Sequence, residues 1–149
     1  MGFDRSARDF WVRVTCVILA VAGIAVTGYL VWERYHGNNP VCAIGGGCLT
    51  VQRSEWSTVA GVPVAILGLL AYIGMLGCAL APWAWAALAS LFLSLLGVML
   101  SGYLTYLELF TIHAICEYCV TSAIIVTVLF VLSIVRVLVM SPPSDPAAA

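Results

Sequence analysis

The chain alternates long apolar runs with short polar ones, and the run lengths carry the first conclusion. Residues 56–107 contain no Asp, Glu, Lys, Arg or His. A membrane-spanning helix needs roughly 20 apolar residues, so this stretch holds two helices and a tight turn. Ala81-Pro82-Trp83 marks the turn, because Pro resists helix continuation and Trp favours the membrane interface. By the same length criterion, the expected spans are about 11–32, 62–80, 85–107 and 116–140. The first has residues 14–30 as its apolar body, with Trp32 and Tyr35 as interfacial anchors. A polar loop, 33–57, follows it; Gly37-Asn38-Asn39-Pro40 and Gly45-Gly46-Gly47 are turn formers without helical periodicity. A second polar segment, 108–116, precedes the last span. The expected organisation is an N-terminal segment, 1–10, a membrane domain, 11–140, and a Pro-rich disordered tail, 141–149.

Composition agrees with the pattern. Hydrophobic residues make up 63% of the chain and charged residues 9%, a balance that a water-soluble domain of this size could not hide from solvent. The expected fold is an all-α integral membrane four-helix bundle. The first apolar run is too long for a signal-peptide core, and no small-residue cleavage site follows it. The basic residues are all Arg, and the net charge is -1, which argues against a nucleic-acid surface. Arg5, Arg8, Arg13 and Arg136 lie toward the two chain ends. Positive residues accumulate in cytoplasmic segments, so both termini are expected in the cytoplasm and both polar segments outside it. The localisation expected is the cell (inner) membrane.

That orientation brings four cysteines to one face. Cys42 and Cys48 lie in the first outward loop, and Cys116 and Cys119 at the start of the last span. An oxidising compartment favours disulfides between such residues. In Cys116-Glu117-Tyr118-Cys119, the first cysteine sits near unsatisfied backbone N–H groups and the positive end of a helix dipole. Both stabilise a thiolate, so Cys116 is expected to be the exchange-active sulfur, with Cys119 one turn deeper toward lipid. Glu117 works mildly against the thiolate. The three glycines between Cys42 and Cys48 let that loop close into a disulfide and reopen. The competing use of these four thiols is a structural zinc site or static disulfides. Cys16 and Cys78 fall inside apolar spans and read as packing residues.

At these residues the chain resembles the vitamin K epoxide reductase family, most closely its bacterial quinone-reducing branch without a fused thioredoxin-like domain. The resemblance covers about residues 11–138 in order: span, loop pair, Ser/Trp segment, two spans, and Cys-x-x-Cys opening the last span. Ser54 and Trp56 fall six and eight residues after Cys48, as the family pattern requires. The resemblance implies four helices around a quinone pocket near the outward face, capped by the loop and a short helix containing Ser54. Ser54 and Trp56 would then contact the quinone, either ubiquinone or menaquinone. Cys42 would accept electrons from a reduced partner, Cys48 would pass them to Cys116, and Cys119 would deliver them to the quinone. The implied donor is a separate extracytoplasmic thioredoxin-like protein of the DsbA type, whose reoxidation supports disulfide bond formation.

Animal members differ in their loop-cysteine spacing and carry Asn and Tyr side chains for the vitamin carbonyls. Val64 and Ala123 are the corresponding residues here, which favours an ordinary quinone over an epoxide. Epoxide reduction remains the alternative enzymatic activity, and a non-catalytic assembly protein held by zinc or disulfides the alternative of another class. DsbB-type proteins are functional relatives by convergence, with their Cys-x-x-Cys in the first outward loop. Glu108 and His113 could assist proton transfer, although interfacial solvation is the simpler account. Tyr103 and Tyr106 read as an aromatic belt, and Gly68, Gly74, Gly77, Gly97 and Gly102 as sites of close helix approach. No buried charge is expected within the spans.

Overall fold

A computed structural model of the chain describes residues 2–44 and 46–140. The expected tail, 141–149, and Gly45 of the glycine run lie outside the described residues. Five helices follow one another: α1 (Gly2–His36), α2 (Gly47–Arg53), α3 (Val64–Leu80), α4 (Ala84–Leu107) and α5 (Glu117–Met140). A π-helical turn, Glu108–Ile112, extends α4. Three helical stretches, Asp4–His36, Ala84–Ile112 and Glu117–Met140, are long and apolar enough to cross a membrane, and Val64–Leu80 is apolar but shorter. The protein is an all-α membrane protein.

The helix ends follow local chemistry. α1 runs without a break from Gly2, so residues 2–10 form its first turns and not a separate segment. It stops at Gly37, whose φ of 67° is the left-handed conformation that releases a helix C-terminus. After α2, Thr58–Val59 (β1) pairs antiparallel with Val62–Pro63 (β2). Ala60 and Gly61, at φ 53° and 81°, make the tight turn between them. The polar loop expected from the sequence thus contains structured elements.

The four long helices pack in a ring, with α1 against α3 and α5, and α4 against the same two. Cys16, Tyr72, Met75, Ala79, Val126 and Leu129 form the principal core. Close approach at two glycines makes this possible. A Cβ on Gly23 would run into the Tyr72 ring, and one on Gly97 would lie 2.6 Å from Val126 Cγ2. Gly68 and Gly74 also face neighbours, whereas Gly77 and Gly102 face open space. The Tyr72 hydroxyl reaches the Ser122 carbonyl and hydroxyl, each at 2.9 Å, which satisfies its polar end within the core.

One end of the bundle is tied by arginines. A helix leaves its last carbonyls without intrahelical donors, and α3 borrows them from its neighbours. Arg13 of α1 donates to Ala79 O at 2.9 Å and Leu80 O at 2.6 Å. Arg136 of α5 donates to Cys78 O at 2.8 Å and Ala81 O at 2.5 Å. Arg136 is 1% exposed and lies 3.5 Å from Asp9. The expectation of no buried charge within the spans therefore fails here; Glu108, just past the third expected span, is also buried, at 2% exposed. At Arg136 the two terminal nitrogens fit the frayed carbonyls, while Nε makes no hydrogen bond among the described residues and faces Asp9 only as an ion pair. The start of α1, the end of α5 and the α3–α4 turn meet at this end. The cysteine-bearing segments meet at the other.

Candidate redox site

At that opposite end, α2 lies on the π turn and on the start of α5. Cys42 and Cys48 form a disulfide with Cα atoms 6.3 Å apart. Cys48 and Cys116 are each fully buried and pack in one cluster with Val51, against partly buried Cys42, Cys119 and Tyr118. The contact depends on Gly47. Its backbone presses on Ile115, and a Cβ there would meet the Ile115 carbonyl oxygen, with Ile115 N at 2.9 Å. A side chain at 47 would separate the segments that carry Cys48 and Cys116.

The loop around Cys42 is held at three backbone points. Ala43 N–H donates to Glu117 Oε1 at 2.8 Å. The Tyr118 hydroxyl donates to Val41 O at 2.6 Å, and Val41 N–H to the Tyr29 hydroxyl at 3.2 Å. The Tyr29 and Tyr118 rings lie 5.3 Å apart. The two residues between Cys116 and Cys119 therefore grip the chain on both sides of Cys42. The sequence offered no sign of this, since the contacts bridge more than 70 residues. Cys42, Cys48 and Glu117 have ligand atoms within 4.8 Å of one another; with both sulfurs in a disulfide, the grouping reflects the Glu117 grip on the loop. Cys116 and Cys119 are not part of that trio.

Cys116 sits immediately before α5, and its carbonyl accepts from Val120 N at 3.0 Å. A hydrogen bond from the Cys119 thiol holds the Cys116 thiol below its usual range. The Cys119 and Tyr118 backbone N–H groups act in the same direction, while burial and the Glu108 carboxylate oppose it. The helix-start N–H groups thus contribute, but the neighbouring Cys119 thiol is the largest cause.

Beneath the cysteines lies a cavity of about 310 Å³ between the long helices. Its wall is mainly apolar, including Leu30, Met75, Leu93 and Val126, with Cys119 and Glu108 at one side. Thr27, Arg34, Gln52, Ser57, Tyr72, Ser101 and Ser122 are its other polar groups. Ser54 and Trp56, the residues expected at a quinone, are not in this wall. Ser54 caps α2 from outside the helix, and its hydroxyl donates to Val51 O at 2.7 Å. Trp56 is 46% exposed. Ser57, three residues after Ser54, is the serine of this segment that reaches the cavity. A short 3-10 turn, Glu55–Ser57, rotates the chain there, and bare spacing from Cys48 could not have shown it.

Glu108 also departs from expectation. The sequence favoured interfacial solvation for both Glu108 and His113, yet only His113 is exposed. Glu108 turns inward in the π turn. Its Oε2 accepts from Cys116 N at 3.1 Å, and Oε1 is buried without a partner. A signal did exist: Glu108 is the only acidic residue between Trp56 and Glu117. An acid in an apolar run is a functional signal by itself. Cys16 is buried in the core, and Cys78 is partly buried, both distant in the fold from the redox cluster.

The element order that places these sulfurs is also a family's order. Residues 14–134, most of the chain, match the family model described as the vitamin K epoxide reductase family. The match takes in both cysteine pairs, the cavity wall and the helices that carry them, and the chain belongs to the vitamin K epoxide reductase family.

Proposed function

We propose that this membrane redox protein is a quinone-dependent thiol-disulfide oxidoreductase. It reoxidises a separate extracytoplasmic thioredoxin-like partner of the DsbA type and passes the electrons to ubiquinone or menaquinone. All four long helices cross the cell membrane, with α3 the shortest crossing, the termini in the cytoplasm and the cysteines outside. α3, with 17 residues, is about 26 Å long, near the lower limit for a span. The arginines at the chain ends support this orientation.

One observation carries the reading. The four sulfurs form a graded series from a partly exposed loop, through two fully buried cysteines of one cluster, to a cavity wall. Thiol exchange requires an accessible disulfide at the start and a close sulfur neighbour at each later step. A partner thiolate attacks Cys42 and displaces Cys48; the partner's second thiol then resolves the mixed disulfide and leaves as a disulfide. Cys48, now a thiolate, attacks Cys116 in a Cys116–Cys119 disulfide and displaces Cys119. Cys42 closes on Cys48, which returns the outer disulfide and leaves Cys116 and Cys119 reduced. The inner pair then gives two electrons and two protons to the quinone and closes as a disulfide.

The cavity suits the substrate class. Its volume and apolar wall match a small flat ring, and a few polar side chains are placed to meet carbonyl oxygens. Val64 lines it and offers no hydrogen bond, while Ala123 is not in the wall, which supports an ordinary quinone over an epoxide. The test is quinone reduction by purified protein supplied with a reduced thioredoxin-like donor. Cys42→Ala and Cys119→Ala should both abolish it, with Cys42→Ala retaining activity toward a small dithiol that reaches the inner pair. No turnover by the parent with any quinone, alongside bound zinc, would favour the structural role.

A further inference from the structure

The relay leaves one buried ionisable group without a role. Glu108 is 2% exposed and lines the apolar cavity together with Cys119. Cys116 N–H holds Oε2 at 3.1 Å, and the Cys119 thiol is close enough to act on the carboxyl. Oε1 has no partner among the described residues. A buried carboxylate oxygen without a donor is costly. A proton on it, or a ligand donor in the cavity, removes that cost.

We propose that Glu108 is the proton carrier between the inner thiols and the quinone, an inference that rests on the quinone reading above. Oxidising Cys116 and Cys119 breaks two S–H bonds, forms one S–S bond and releases two electrons and two protons. The electrons pass to the quinone, where two O–H bonds form. Each proton moves first to the Glu108 carboxylate and then to a quinone oxygen, so the carboxyl ends as it began. α2 packs on the π turn and on α5 beside the inner cysteines, and among the described residues Glu108 is the only acidic side chain in the cavity wall. Cys116 and Cys119 are the titratable groups that face Glu108. Arg34 shares the cavity wall but is engaged by Gln52 O at 2.8 Å and Ser57 Oγ at 3.2 Å.

Glu108→Gln separates the carrier role from a packing role, because the amide keeps the shape and an acceptor for Cys116 N–H. Two rates are measured in the parent, Glu108→Gln and Glu108→Asp: reduction of the cysteines by a dithiol without quinone, and quinone reduction by the prereduced protein. We expect cysteine reduction within about twofold of the parent and quinone reduction slowed about a hundredfold in Glu108→Gln. Its rate should also lose the pH dependence that the carboxyl gives the parent, and Glu108→Asp should recover part of both. Quinone reduction by Glu108→Gln at the parent rate and pH profile overturns the inference while leaving the quinone function intact. Equal loss of both rates, with no recovery in Glu108→Asp, also overturns it in favour of a structural carboxyl. A parent that reduces no quinone overturns the function and the inference together.

Discussion

Gly47→Ala tests whether the spacing between α2 and the segment before α5 governs exchange between the two cysteine pairs. The added Cβ meets only backbone, namely the carbonyl oxygen, nitrogen and carbonyl carbon of Ile115, so no rotamer change relieves it. Ordinary contact begins near 3.4 Å and the nitrogen lies at 2.9 Å, so the segments must part by about 0.5 Å there and further at the oxygen. Overpacking of this kind costs about 1–3 kcal/mol. Every 1.4 kcal/mol is about tenfold in population, so the arrangement with Cys48 against Cys116 falls on the order of tenfold to a hundredfold. The assay uses a Cys42→Ala/Cys119→Ala background, in which Cys48 and Cys116 remain to be joined in the redox cluster. Disulfide formation in a glutathione buffer is followed by mass spectrometry with and without Gly47→Ala. Gly77→Ala is the control, since a Cβ there meets nothing within 4 Å. Trapping at the background rate in Gly47→Ala would refute the claim that this backbone contact sets the sulfur spacing.

Other outcomes follow from the same geometry. Glu117→Gln and Tyr118→Phe each weaken or remove one hydrogen bond to the loop, worth about 0.5–1.5 kcal/mol; hydrogen exchange at Ala43 should quicken in Glu117→Gln, and a partner dithiol should reduce Cys42–Cys48 faster in both. In the reduced protein, ultraviolet titration should show Cys116 ionising below the ordinary thiol range, and Cys119→Ala should move that midpoint up. A lowered folded value means that the stability linked to Cys116 is full above the ordinary thiol range and is lost as pH falls through the lowered value. Arg136→Ala leaves Asp9 and the α3 carbonyls without their donor and should cost about 3–5 kcal/mol in detergent unfolding. Arg136→Lys should recover only part of it, because an ammonium cannot fork between two carbonyls; full stability in Arg136→Ala would show that water or lipid satisfies those groups.

The tying of the two bundle ends separates structure from chemistry. At the arginine end, charge is buried to complete α3. At the cysteine end, a carboxyl is buried with one oxygen unmatched. Among the described residues, both ends bury atoms without a hydrogen bond, Arg136 Nε and Asp9 Oδ1 at one and Glu108 Oε1 at the other, but only Glu108 stands beside reactive sulfur and an apolar cavity, where a ligand or a proton can meet it.

The apolar run lengths determined the membrane class and the position of the long helices, because a span must satisfy every backbone group within itself and so writes its length into the sequence. The two cysteine pairs were legible for a similar reason, since their spacing and polar flanks are local features. Tertiary structure decided the rest. Glu117 and Tyr118 reach Val41 and Ala43 across the fold, Gly47 rests on Ile115, and Ser57 reaches the cavity instead of Ser54. Glu108 faces inward because a π turn redirects the end of α4, while His113, five residues later, faces out. Periodicity gives the face of a regular helix; it cannot give the direction of a side chain where the helix changes pitch or where partners come from distant elements.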